Sequence, residues 1–332
     1  MPSTLTRSAG LAVACAALAL AVLFSLAVGA RSIALGDVIQ ALLHGGDSEN
    51  ATIVRDIRVP RTELGLVVGA AIGVAGALMQ ALTRNPLADP GLLGVNAGAS
   101  VAVVIALALG VAGAAGSVWF AFLGAALAAF AVYAIGGAGR GGATPVRLAL
   151  AGVALSAALT AVVYGVARSD PRLLQQYNYW SVGALGGRGR AQLATIVPFV
   201  VFGIALAALL ARALNALALG DESARALGAG VGRTRIGGAV AITLLCGAAT
   251  AAAGPMYFLG LTVPHAGRAI CGPDQRWVLA YSAVLGAVLL LIADVIGRVL
   301  LRPGELQAGV MVAVIGAPVF IVLVRGKRIA AL

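Results

Sequence analysis

Of the 332 residues, 61% are hydrophobic and only 11% are charged. A soluble domain carries about 25% charged residues, so this composition excludes a single water-soluble core and points to the bilayer as solvent. The net charge of +11 then reads as basic loops beside a membrane rather than a nucleic-acid footprint, and nucleic acid is not an expected partner.

A helix needs roughly 20 apolar residues to cross the hydrocarbon core, and charge-free apolar runs of that size recur along the chain. The first, 8–30, follows Arg7 and ends in "AVGA", which resembles a secretory signal. The run is longer than a signal's apolar region, so a retained first helix is expected. The next run is 64–83. Residues 90–139 hold no charge and suffice for two spans with a Gly-rich turn near 110–116. Further spans are expected at 148–167 and 191–211. Residues 236–267 break at Gly254 and Pro255, giving a full helix and then a short one. The last two spans are 277–297, interrupted only by Asp294, and 306–324. The expectation is an all-α, polytopic membrane protein of ten transmembrane helices, one of them short, in one domain over 1–332. No run alternates as a membrane β-barrel requires, and backbone groups in lipid must be satisfied internally.

Two segments interrupt helices in a way that plain connectors do not require. "RNPLADP", with Pro86 and Pro90, predicts a non-helical turn after the second span, and "GPMYFLGLTVPHAGR" carries the break at Gly254 and Pro255. Taken with the residues just before them, both stretches begin with small residues and a Gly and then carry a Met, an apolar run, a Pro and a basic residue, a weak match. It suggests an inverted repeat, roughly 1–168 and 191–332, a plan common among transporters. Glycines at small-xxx-small spacing, such as Gly65, Gly69 and Gly73, predict close helix contacts.

Placing the N-terminus inside gives a modest excess of basic residues on the cytoplasmic side, including Arg140, Lys327 and Arg328. Between the sixth and seventh spans, 215–235 reads as a short, partly polar cytoplasmic helix. Asp221 or Ser223 could cap its start and Gly228 or Gly230 its end. A helix of this kind suits a lever receiving motion from a separate ATPase. The other side collects Arg55, Arg58, Arg61, Arg168, Arg172, Arg188, Arg190, Arg298 and Arg302. That set suits docking of an acidic partner, since facing charges steer encounter. Asp294 is expected to pair with Arg298, four residues on.

Catalytic and cofactor signatures are missing. The only Lys is Lys327, so there is no P-loop. His44 and His265 stand alone; His265 in "VPHAGR" could be a ligand or a relay, but a helix-end histidine in ordinary packing is the simpler reading, and Cys15, Cys246 and Cys271 lack metal spacing. A transporter without its own catalytic site or cofactor is expected, rather than an enzyme. A secondary transporter run by an ion gradient would need several buried acids or histidines in mid-span, and only Asp294 qualifies. A structural scaffold would leave the proline turn without a role.

Five stretches together carry a family resemblance: "RVPRTELGLVVGAAIGVAGALMQALTRNPLADPGLLGVNAGAS", "WSVGALGGR", "ARALGAGVGRTR", "GPMYFLGLTVPHAGR" and "ADVIGRVLLRPGELQAGVMVAVIGAPVFIVLVRG". They resemble the permease subunits of ABC importers for ferric siderophores, haem and vitamin B12, over about residues 10 to 326. The resemblance implies a ten-span permease of the bacterial inner membrane with both termini cytoplasmic. It implies a second permease copy, identical or different, and two ATPase subunits that bind the ATP and Mg. A periplasmic or lipid-anchored substrate-binding protein completes the assembly. It implies that Asp221, Glu222, Ser223, Ala224, Arg225, Ala226, Leu227 and Gly228 form the coupling helix. Arg58, Arg61 and Arg298 would meet acidic residues of the binding protein. Asn85, Pro86 and Leu87 would form a cytoplasmic gate, with Thr144 and Pro145 in a similar position. Ferric siderophore ranks first as substrate, then haem, then cobalamin.

Overall fold

The computed structural model describes residues 3–46, 48–111, 114–138, 144–302 and 304–325. Arg140, Lys327 and Arg328 lie outside them, as does part of the expected turn at 110–116.

The chain opens with α1 (Thr4–Ala27), capped by the Ser3 hydroxyl, which accepts from the Thr6 amide at 3.2 Å. An excursion of small helices follows: α2 (Leu35–Leu43), α3 (Glu49–Thr52) and a π-helical turn, Ile53–Arg58. That turn runs directly into α4 (Val59–Thr83), with Pro60 in its first turn. A 3-10 turn, Pro90–Leu93, precedes α5 (Val95–Ala108), α6 (Ala114–Gly137) and α7 (Pro145–Ala167). The later helices are α8 (Pro171–Ser181), α9 (Arg190–Ala218), α10 (Asp221–Ala226) and α11 (Val231–Ala253). The chain closes with α12 (Leu259–Cys271), α13 (Gln275–Leu300) and α14 (Ala308–Arg325).

Among the described residues, seven helical segments are long and apolar enough to cross a membrane, α3 to α4 counting as one. The other three expected spans are the shorter helices α5, α12 and α14. Two of these directly follow the proline and glycine breaks, which shorten them. α8 was not visible as an apolar run. It is partly polar, and its start is built by Asp170, whose carboxylate accepts from the Arg172 amide at 2.8 Å, with Pro171 at the first helical position.

α4 is the axis of the bundle: 83% of its most apolar window is buried, against 11% for α7. Glycine makes that burial possible. A methyl on Gly73 would lie 2.1 Å from the Ser282 carbonyl oxygen on α13, and one on Gly76 would lie 1.9 Å from the Gly260 oxygen on α12. Backbone-to-backbone contact replaces the hydrophobic drive that lipid cannot supply. α12 contains Pro264, which has no N–H to offer the Gly260 carbonyl one turn back. The Gln80 amide of α4 sits over this gap and donates to the Leu261 carbonyl at 3.1 Å. Its oxygen accepts from Arg268. His265 lies mid-helix rather than at a helix end, its Nδ1 3.2 Å from the Arg268 guanidinium and its ring edge-on to Phe320.

Candidate functional site

The first break is built by its own side chains. α4 ends on Arg84 in the left-handed region, φ 50°, a conformation that glycine usually takes at a helix end. The Asn85 amide returns to the Gln80 carbonyl at 3.2 Å, and the Asn85 side-chain oxygen accepts from the Leu87 amide at 2.9 Å. The Asp89 carboxylate caps the 3-10 turn through the Gly91 amide at 2.8 Å. Asn85 and Leu87 are exposed and Pro86 is half-buried. The second break, between α11 and α12, turns on Gly254 (φ 84°) and Phe258 (φ 66°).

The two breaks meet. A methyl on Gly260, in the first turn of α12, would lie 3.0 Å from the Pro90 ring. They wall a common cavity of about 620 Å³. Asp89, Gly91 and Leu92 come from the first break, and Tyr257 and Phe258 from the second. α5 contributes Asn96 and Ser100, α7 contributes Ser156, Thr160 and Tyr164, and α8 contributes Tyr177. Gly152 lets α7 rest on the first break, since a methyl there would lie 1.7 Å from the Leu92 oxygen. Thr144 is exposed and caps α7, accepting from the Arg147 amide at 3.4 Å, and Pro145 is the first residue of that helix. Among the described residues the lining mixes hydroxyl, amide and aromatic groups with the aliphatic side chains of Leu92, Ala97, Val153 and Leu261, with Asp89 its one acid and no basic side chain. Such a wall offers many weak contacts and no strong clamp, which suits passage more than retention. None of the lining tyrosines was singled out from the sequence, because helical periodicity does not separate a face lining a cavity from one meeting lipid.

α10 lies on the surface. Of its residues only Ala224 is buried, while Glu222, Ser223, Arg225, Ala226 and the following Leu227 are exposed. The helix ends as expected at Gly228 (φ 79°): the Gly228 amide bonds the Arg225 carbonyl and the Ala229 amide the Ala224 carbonyl, each at 2.9 Å. Its start differs from expectation. Gly220 holds the capping position with no side-chain bond. Asp221 is used elsewhere: its carboxylate takes Arg84 at 3.0 Å and Arg235 of α11 at 2.9 Å.

The three arginines expected at a docking surface cluster at the other end of α4, and they are buried: Arg58 is 5% exposed, Arg61 7% and Arg298 3%. Arg61 grips fully buried Asp294 through Nε and Nη2, at 2.9 to 3.1 Å, and reaches Glu305 at 2.8 Å. Arg298 approaches Asp294 at 3.2 Å, the expected i,i+4 pair, and donates to the Ser25 carbonyl and hydroxyl of α1. Arg58 donates to the backbone carbonyls of Leu26 and Arg31. All three find partners within the chain, although the Arg298 Nε, 3.2 Å from the Asp294 carboxylate, makes no hydrogen bond, and Glu305, on the connector between α13 and α14, is the most exposed partner in the cluster. The remaining outer arginines do not join it, apart from Arg302, which bonds the Gly29 carbonyl at 2.8 Å. Among the described residues no group of His, Cys, Asp and Glu could hold a metal ion.

Long apolar helices around a buried glycine-rich axis, with two helix breaks at one polar cavity, define a polytopic membrane permease. The chain belongs to the FecCD transport family, whose model matches residues 17–326. It is 49% identical over 311 residues to the ferric enterobactin transport system permease protein FepD of Escherichia coli K12, covering 93% of each chain. It is 40% identical to the probable siderophore transport system permease protein YfiZ of Bacillus subtilis 168, covering 92% of each. Further relatives are permeases for ferric citrate, ferric hydroxamates, haem and cobalamin. In fold it matches a metal-chelate type ABC transporter in an inward-facing conformation, with a TM-score of 0.84 over 96% of this chain and 99% of the other, at 23% identity.

Proposed function

We propose that this chain is the membrane-spanning permease subunit of an importer driven by ATP hydrolysis on a separate subunit. Its cargo is an iron chelate, a ferric siderophore before haem or cobalamin, taken from a binding protein into the cytoplasm. The observation that carries this reading is the cavity at the two helix breaks, found in a chain of this family. Backbone outside a helix is tolerated at membrane depth only where protein or a water-filled cavity surrounds it. Ten membrane-crossing segments follow if α5, α12 and α14 complete the seven long ones, the two halves being related as an inverted repeat. The chain then lies in the bacterial inner membrane with both termini in the cytoplasm.

The partners follow from the surfaces left uncovered. α7 lines the cavity yet is the least buried long helix, which fits a second permease copy, identical or not, closing the path from the other side. α10 offers Glu222, Arg225 and the 66%-exposed Leu227 as the coupling helix for one of two ATPase subunits, which bind the ATP and Mg. Asn85, Pro86, Leu87, Thr144 and Pro145 act at the cytoplasmic gate. Arg58, Arg61 and Arg298 are buried rather than uncovered, but they outnumber their two carboxylates, and the field of the one unbalanced positive charge near the periplasmic face serves an acidic group of the binding protein.

The test is uptake of radioactive iron by cells lacking their own copy of the gene and carrying this chain with its neighbours. Ferric tris-catecholate, ferric trihydroxamate, ferric citrate, haem and cobalamin are offered in turn. Uptake of a ferric chelate that stops when ATP is depleted, with an ATPase co-purifying, supports the reading. Uptake by the isolated chain in vesicles, driven by an ion gradient without ATP, ends it.

A further inference from the structure

Resting on that reading, we propose that Arg84 and Asp221 are a positioning pair that carries motion from α10 to the cavity wall. Asp221 is the first residue of α10. Arg84 is the residue at which α4 stops and the 84–94 break begins. Five residues further on, Asp89 lines the cavity. One ion pair of 3.0 Å therefore joins the surface helix to the segment that forms the cavity wall.

Three features show that this contact is built rather than incidental. Arg84 holds a left-handed backbone conformation, φ 50°, which a residue with a side chain adopts only when its surroundings compensate. A glycine would suit that backbone better, but it would remove the guanidinium. On the other side, Gly220 turns the chain between α9 and α10 at φ 103°, a conformation that glycine takes at no steric cost, and so sets Asp221 at the start of α10. Third, Asp221 is held from behind by Arg235 of α11, at 2.9 and 3.1 Å. The carboxylate is thus the junction of the break, α10 and α11. Its side chain is 26% exposed and that of Arg84 35%, so water can replace either partner. The pair can release and re-form as α10 moves, which a buried pair could not do at comparable cost.

The test uses the full chain in lipid nanodiscs and, for function, the assembled importer. Hydrogen exchange is followed at the amides of residues 85–94. Arg84→Gln and Asp221→Asn should each raise exchange there, roughly five-fold for the loss of a partly exposed ion pair. The double variant should do no more than either single one. Arg235→Gln, which loosens Asp221 from α11 and leaves the Arg84 contact, should not raise it. In the importer, Arg84→Gln should lower iron taken up per ATP hydrolysed, and Arg84→Lys should restore most of that ratio. Unchanged exchange in both single variants, or additive effects in the double, overturns the pairing. Raised exchange with an unchanged uptake-to-ATP ratio overturns the transmission role. If the wild-type importer takes up no iron chelate, the proposed function fails instead, and the exchange data still decide whether the pair holds the break.

Discussion

The two ends of α4 carry the same device in different surroundings. At one end Asp294 sits between Arg61 and Arg298, and at the other Asp221 sits between Arg84 and Arg235. A helix of this length separates them by roughly 35 Å. Counting side chains alone, Asp294 is 0% exposed and its arginines 9% and 3%, whereas Asp221 is 26% exposed and its arginines 35% and 19%. Removing one member of a buried set strands an uncompensated charge away from water. Removing one from a partly wet set lets water take its place. The first site therefore fixes α4 to α13, and the second can be rearranged.

The sharpest way to break this comparison is to delete each carboxylate. Asp294→Ala leaves two buried guanidiniums facing each other and should cost about 3–5 kcal/mol. The measurement is the thermal midpoint of the purified protein in nanodiscs, together with the folded yield. A midpoint no lower than that of an Asp221 variant would show that burial does not separate the two ends. The comparison also requires α4 to be a stiff rod seated on α13. Gly73→Ala places its methyl 2.1 Å from the Ser282 oxygen, a backbone atom that moves only with the helix. That overpacking should cost about 1–3 kcal/mol in the same melt.

The sequence revealed the two ends unequally. The pairing of Asp294 with Arg298 is local, one helical turn apart, and was readable. Arg61 lies 233 positions from Asp294, and no pattern within a helix announces a partner at that distance. The same blindness produced the error at α10. Asp221 stands where a capping residue is expected, so local rules assigned it to the helix start, while its partners come from the end of α4 and from α11. The long helices were visible because lipid forces charge-free runs of a set length. The break at "RNPLADP" was visible because two prolines stop a helix wherever it lies. That its far side meets the second break at Gly254–Phe258 depends on the approach of Gly260 to Pro90, a tertiary contact that neither segment encodes alone.

The smallest expected effects sharpen the contrast most. Asp221→Asn should cost only about 1 kcal/mol of global stability, since solvent compensates the two arginines. Salt separates that modest loss from the larger one at Asp294. The Debye length falls from about 10 Å at 0.1 M to about 3 Å at 1 M, so ions that reach Asp221 and Arg84 weaken their attraction. They do not reach Asp294 behind Arg61 and Arg298. The stability gap between wild type and Asp221→Asn should therefore shrink at 1 M salt, while the gap between wild type and Asp294→Ala stays as it was. Parallel melts of the three proteins at both salt concentrations read this directly. Equal salt sensitivity at the two ends would mean that the α10 junction is as closed to water as the other, and it would then lack the looseness that a moving connection needs.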